Sequence, residues 1–177
     1  LLMHLVRNAT GYFEYGCGGS TTMVCAYAKE ANIYFADSDA DWLNRVKEQS
    51  GCISRALYAG RGRSHLIDIG PTQKWGFPKD EKNPTEKWEN YPKALLSVGD
   101  AQMDVVLVDG RFRVASALFA FLHQPSAVVL IHDFFYLEHY EKYRHILAVA
   151  EIFLKARRLV ALRVKKGVTK AELMALY

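Results

Sequence analysis

Tyr12-Phe13-Glu14-Tyr15-Gly16-Cys17-Gly18-Gly19-Ser20-Thr21 is the stretch that decides the fold. Residues 12–15 form a short, largely apolar run of strand length, and it stops at a turn with glycine at three of four positions. Glycine permits a tight turn and lets a ligand approach bare backbone. Ser20 then offers an N-cap for a helix predicted over residues 21–31. Strand, glycine turn and helix open a βαβ unit, and the unpaired N–H groups at such a helix start can seat a ligand. The turn lacks the third glycine of GxGxxG and the Gly-Lys-Ser/Thr ending of a P-loop.

Outward from this stretch the pattern repeats. Residues 33–36 read as a second strand ending at Asp37, and Asp39 can cap a helix over 41–49 with Trp42, Leu43 and Val46 as its apolar stripe. A turn at Gly60-Arg61-Gly62-Arg63 precedes a third strand over 65–69. Residues 104–108 and 127–131 are unbroken apolar runs, as expected of strands covered on both faces. A helix over 114–123 lies between them. The longest helical candidate spans 138–156, Leu159–Val164 reads as a further strand, and 170–176 reads as helix. This alternation predicts an α/β, Rossmann-like three-layer sandwich with a mostly parallel sheet of six or seven strands. No repeat or linker divides residues 1–177, so one domain is expected. The segment 70–91, rich in Pro, Lys, Trp and acids, is too long for a routine connection and is expected to be functional or irregular.

In an open parallel sheet, ligands bind outside the carboxyl ends of the strands. Asp37 follows Gly19 by 18 residues, the spacing at which an acid at the second strand's tip can accept both hydroxyls of a ribose. Glycine turn and spaced acid together point to an adenosine-type ligand. Asp109, His132 and Asp133 fall at the ends of the two apolar strands and form a candidate catalytic set. Arg111 and Arg113 follow closely and could grip an acidic group.

The segment 13–21 resembles the first motif of class I S-adenosylmethionine (SAM)-dependent methyltransferases, with Glu14 two positions ahead of Gly16. Residues 104–113 and 128–134 resemble the family's fourth and fifth strand ends, so the likeness runs over roughly 10–165. It implies that Gly16, Gly18, Gly19 and Ser20, with Glu14 beneath, serve the methionine part of SAM. It further implies that Asp37 holds the ribose, that adenine lies near Ile69 with Asp68 nearby, and that Asp109 borders the cofactor. Some O-methyltransferases of this family place Mg²⁺ at these strand ends, which would make Asp109 and Asp133 ligands. His132 stands where oxygen would be expected, and Mg²⁺ prefers oxygen. The metal-free route makes His132 a general base oriented by Asp133 or Asp109.

The expected function is therefore SAM-dependent methyl transfer to a hydroxyl of a small molecule or sugar, the alternative being a divergent, non-catalytic SAM-fold binding protein. An NAD-dependent oxidoreductase is disfavoured by the missing third glycine. The net charge of +4 arises from 23 Lys and Arg interleaved with 19 acids, so a solvated surface is expected rather than a nucleic-acid partner. No apolar run reaches the ~20 residues of a membrane helix. Cys17, Cys25 and Cys52 are too few and irregularly spaced for a disulfide framework or a zinc site. A small-molecule acceptor and a cytoplasmic location are expected.

Overall fold

The structure is a computed structural model describing residues 1–177, apart from the side chains of residues 137–139. Its core is a seven-stranded sheet in the order β3-β2-β1-β4-β5-β7-β6. The strands are β1 (Gly11–Tyr15), β2 (Asn32–Asp37), β3 (Gly62–Leu66), β4 (Val105–Val108), β5 (Val128–Ile131), β6 (Ala150–Ala156) and β7 (Leu159–Val164). Strands β1–β5 pair in parallel, and β7 runs antiparallel to both β5 and β6.

Two apolar layers explain why the central strands β4 and β5 are wholly apolar. Alternate side chains of one strand face opposite sides, so Val105 and Leu107 join one cluster while Val106 and Val108 join the other. On the first side the sheet is covered by α1 (Leu2–Val6), α2 (Gly19–Tyr27), α3 (Ala40–Gln49) and α4 (Gly51–Tyr58), through residues such as Val6, Val24, Leu43 and Ile53. The other side carries α5 (Asn90–Lys93), α6 (Arg113–His123), α7 (Leu137–Tyr143) and α8 (Lys170–Leu176), with Tyr91, Phe121 and Leu173 in its core. Among the described residues, no helix is long and apolar enough to cross a membrane.

The structure corrects several expectations. Ser20 is not the cap of α2: the helix starts two residues earlier, with Gly18 in the cap position, and the Ser20 hydroxyl instead donates to Glu14. Strand β3 begins at Gly62, three residues before the predicted start. A Cβ there would meet Ala56 backbone at 3.1 Å, so this glycine lets α4 lie directly against the strand. Helix α4 itself went unread, although Ser50 caps it through Ile53 N–H. The predicted helix over 138–156 breaks into α7, a 3-10 turn over Arg144–Ala148 and strand β6. Cys25 and Cys52 form a disulfide tying α2 to α4, although the cysteine spacing gives no sign of one.

Candidate active site

The chain reverses its direction of travel across the sheet between β1 and β4, which puts the crevice at their carboxyl ends. Hydrogen bonding continues one residue past each strand: Gly16 N–H donates to Ala36 O at 2.9 Å, Asp109 N–H to Tyr15 O at 2.9 Å, and His132 N–H to Val108 O at 3.1 Å. The ladder thus delivers the glycine turn, Asp109 and His132 side by side. At Gly16 the backbone is left-handed (φ +83°), and a Cβ would lie 2.5 Å from Gly110 Cα. Gly16 is needed for the close approach of two strand ends, whereas Gly18 and Gly19 face open space apart from Trp42.

A cavity of about 830 Å³ opens over these ends. Gly16, Gly18, Gly19, Ser20 and Asp37 line it on one side, and Asp109, His132 and Asp133 complete its polar wall. Two of the sequence-predicted residues are not at its surface. Glu14 is fully buried beneath the turn, where its carboxylate accepts from Ser20 and, at 2.9 Å, from Tyr12. Ile69 is 2% exposed and borders a separate cavity formed by the 70–88 segment. Asp68 is likewise absent from the wall, being exposed and paired with Lys87 at 2.7 Å. Sequence reading missed Trp42, Ser38 and Lys74, all of which reach the cavity, as does Trp75 at the tip of the long segment. The Trp42 indole N–H donates to Cys17 O at 2.7 Å, which locks α3 against the glycine turn. An aromatic three residues after a capping Asp was the available signal, but its position in an apolar stripe read as core.

No family profile and no curated protein matches the chain. Solved structures do. A methyltransferase-like protein of Silicibacter pomeroyi is 29% identical, with a TM-score of 0.65 over 99% of this chain and 89% of that one. The N-methyltransferase NodS of Bradyrhizobium japonicum, solved with S-adenosylhomocysteine, is 11% identical with a TM-score of 0.52, covering 93% of this chain and 84% of NodS. MycE, from the mycinamycin biosynthetic pathway and solved with Mg, S-adenosylhomocysteine and mycinamycin VI, is 12% identical at 0.52, covering 98% of this chain and 49% of MycE. The chain has the class I SAM-dependent methyltransferase fold. Its kinship with the first of these, over nearly the whole chain, supports a SAM-dependent methyltransferase enzyme.

Within that methyltransferase fold, the polar wall has two electrostatic halves. On the cofactor side, burial pushes the Glu14 carboxyl up to about 7 and raises Asp37 above the usual carboxylate range. Asp37 Oδ1 accepts from Asp39 N–H at 3.0 Å and Oδ2 more weakly from the Cys17 thiol at 3.8 Å, with the Ser38 and Cys17 backbone N–H groups also favouring the charged form. One carboxylate oxygen is therefore held in place and the other is weakly engaged. On the chemical side, His132 Nδ1 lies 3.0 Å from Asp109 Oδ1 and 3.5 Å from Asp133 Oδ2. The Asp109 hydrogen bond raises the imidazole pKa above its ordinary value despite partial burial. Asp133 holds a left-handed φ of +55°, a strained conformation for a residue with a side chain and one that fixes its carboxylate beside the ring.

Arg113 organises this half. It donates to the carbonyls of Gly110 (3.0 Å), His132 (2.6 Å) and Asp109 (3.2 Å), and pairs with Asp109 at 3.3 Å. Its role is structural, and it is not available to grip an acceptor. A Mg²⁺ ion fits this set poorly. Asp109 is shared between Arg113 and His132, and Asp133 between Arg113, at 3.9 Å, and Arg158, at 3.3 Å. Asp109 Oδ1 and both Asp133 oxygens already face arginine or imidazole nitrogens, which leaves too few carboxylate oxygens for a hard cation, and the remaining donor is nitrogen. Among the described residues, no group of three His, Cys, Asp or Glu is arranged to hold a metal ion.

Proposed function

We propose that this protein methylates a hydroxyl group of a small molecule or sugar, with His132 as general base. The observation that carries this reading is the engagement of the imidazole. Nδ1 is held by Asp109, so the neutral ring carries its proton there and presents the Nε2 lone pair to the cavity. An imidazole in that tautomer can take the hydroxyl proton near neutral pH. Asp109 orients the ring and stabilises the imidazolium that results, and Asp133 adds a second negative charge at its edge.

SAM, when bound, supplies a methyl group activated on a sulfonium. The residues that fit it are Asp37, with an oxygen for ribose hydroxyls, and the first turn of α2 from Gly19, whose leading backbone N–H groups have no partner within the helix; the Gly18 N–H is already given to Thr21 Oγ1 at 2.8 Å. Two buried polar atoms that lack partners, Ser38 Oγ and Arg111 Nε, sit on residues of this same cavity. They mark it as a surface completed by a ligand.

The test is transfer of a labelled methyl from SAM to a panel of phenols, hydroxy acids and sugars, in the presence of a chelator. The expected result is label in an ether product, at a rate that rises with pH and is lost in His132→Ala. Unchanged transfer by the Asp109→Ala, His132→Ala, Asp133→Ala triple variant, or loss of transfer to the chelator, overturns this mechanism. S-adenosylhomocysteine binding without transfer across the panel favours the binding-protein alternative.

A further inference from the structure

Two arginines follow Asp109 at the end of β4, and the fold treats them oppositely. Arg113 spends its donors on three carbonyls and two carboxylates. Arg111 lines the cavity, yet no ion pair among the described residues includes it. Its Nε is buried without a hydrogen-bond partner among the described residues. The guanidinium lies over the Phe77 ring at 4.0 Å, so one face is fixed by stacking and the N–H edge is left to bond elsewhere. Burial and the neighbouring Arg113 charge push its pKa below its ordinary value, and the nearby Tyr91, Tyr143 and Asp109 offset that only in part.

A partly buried guanidinium with a vacant donor edge is costly unless something completes it. The same short segment that carries Phe77 presses Gly76 against Ser38, the other orphaned polar residue, with a built Cβ 3.1 Å from Ser38 Oγ. Both unfilled positions therefore lie where the long segment meets the cavity. The planar N–H fork of arginine matches carboxylate and phosphate oxygens in pairs. A cofactor carboxylate has its own donors in the backbone N–H groups at the start of α2, which leaves Arg111 to the other ligand.

We propose that Arg111 is the anion receptor of this cavity and binds a carboxylate or phosphate on the methyl acceptor, making the substrate class an acidic hydroxyl compound. This rests on the methyltransferase reading of the site.

The experiment titrates inorganic phosphate and benzoate into protein saturated with S-adenosylhomocysteine, at low ionic strength, by calorimetry. Wild type is expected to bind them, Arg111→Met to bind at least tenfold more weakly, and Arg111→Lys several-fold more weakly. Arg55→Met, at an exposed arginine of α4 outside the cavity, is expected to behave as wild type. Arg111→Lys keeps the charge, so its loss carries the test if the Met variant does not fold. Affinities for S-adenosylhomocysteine and for 5′-methylthioadenosine, which has no carboxylate, are expected to be unchanged in both Arg111 variants. Equal anion binding by wild type and the Arg111 variants, or none by wild type, overturns the proposal. Weakened S-adenosylhomocysteine with normal 5′-methylthioadenosine binding assigns Arg111 to the cofactor's carboxylate and overturns the acceptor assignment alone. Failure of wild type to bind either nucleoside defeats the underlying methyltransferase reading instead.

Discussion

His132 Nδ1 lies 3.0 Å from Asp109 Oδ1 because the two residues extend a single register pair. Val108 and Ile131 are partners across β4 and β5, and the next residue on each strand is Asp109 and His132. The parallel ladder thus builds a carboxylate–imidazole pair without any contribution from a loop. Since the Asp109 hydrogen bond raises the imidazole pKa, His132 holds its proton to a pH above the ordinary value. Any stabilisation of the fold from this charged pair is complete below about pH 6.5 and is lost as pH rises through the raised pKa. Activity runs the other way, because a general base must be neutral. The rate should climb with pH through a midpoint above about 6.5, and Asp109→Asn should move that midpoint to lower pH while reducing the maximal rate. An unshifted limb in Asp109→Asn would show that another group sets it.

Glu14 titrates unusually for a strand residue. Buried under the glycine turn, its carboxyl is pushed up to about 7 by desolvation, against hydrogen bonds from Ser20 and Tyr12 that favour the charged form. The folded state therefore binds this proton more tightly than the unfolded chain. Stability is complete below the ordinary carboxyl range and falls as pH rises through about 7, by about 3 kcal/mol in all. Urea unfolding of wild type and Glu14→Gln at pH 5 and pH 8 checks this. The wild type should lose stability across that interval, and the variant should lose distinctly less.

The glycines of the turn do different work, which variants should separate. Gly16→Ala places a Cβ 2.5 Å from Gly110 Cα on a left-handed backbone, so neither strand end can yield cheaply. A destabilisation of about 3 kcal/mol or more is expected. Gly18 is extended (φ 171°), and its built Cβ meets only Trp42 at 3.7 Å. Gly18→Val should therefore fold with near-normal stability and lose S-adenosylhomocysteine binding, because its bulk enters the cavity. Thermal melts and calorimetry on the two variants would refute this division if Gly16→Ala melted like wild type or Gly18→Val bound normally.

What the sequence revealed, and what it concealed, follows from where each signal resides. The glycine turn, Asp37, the β4 and β5 cores and the capping Asp39 are local patterns, and each lies where it was read. Strand β6 is different. Its apolar residues alternate too weakly to distinguish strand from helix, and it becomes a strand through its long pairing with β7. The disulfide is equally non-local, since Cys25 and Cys52 sit on separate helices 27 residues apart. The family resemblance implies adenine near Ile69 at the tip of the third strand, but β3 ends at Leu66, and the chain turns Ile69 into the core. Nothing near Arg111 or Arg113 in the chain distinguishes them. Only the folded positions of Phe77, Asp109 and Asp133 do so.

Removing the Cys25–Cys52 bond should cost stability without touching the chemical wall. Closing a loop of 27 residues is worth about 3 kcal/mol by loss of unfolded-chain entropy. Because α2 begins at the glycine turn, reduction should also weaken S-adenosylhomocysteine binding modestly, while the pH midpoint of His132 stays fixed. Melting temperatures with and without dithiothreitol, alongside a Cys52→Ser variant, test this. Equal melting in both conditions would mean that the bond contributes nothing to the fold.

Asp37 should couple cofactor binding to pH. Its Oδ1 is bonded to Asp39 N–H, and the Cys17 thiol engages Oδ2 only at 3.8 Å, so the carboxylate can accept further hydrogen bonds from a ribose. Removing such charge-assisted bonds costs about 2 kcal/mol each, so Asp37→Ala should weaken S-adenosylhomocysteine binding about thirtyfold or more. Burial raises the Asp37 pKa, which means that it takes up a proton at a higher pH than an exposed aspartate would. Wild-type affinity should therefore decline on acidification before the usual carboxylate range is reached. Asp37→Asn should bind weakly at all pH values and lose that part of the decline. Calorimetry from pH 4.5 to pH 8 separates the two curves. A variant with wild-type affinity at pH 8 would place the ribose elsewhere, and parallel curves would assign the acid limb to a different group, with Glu14 the first to examine.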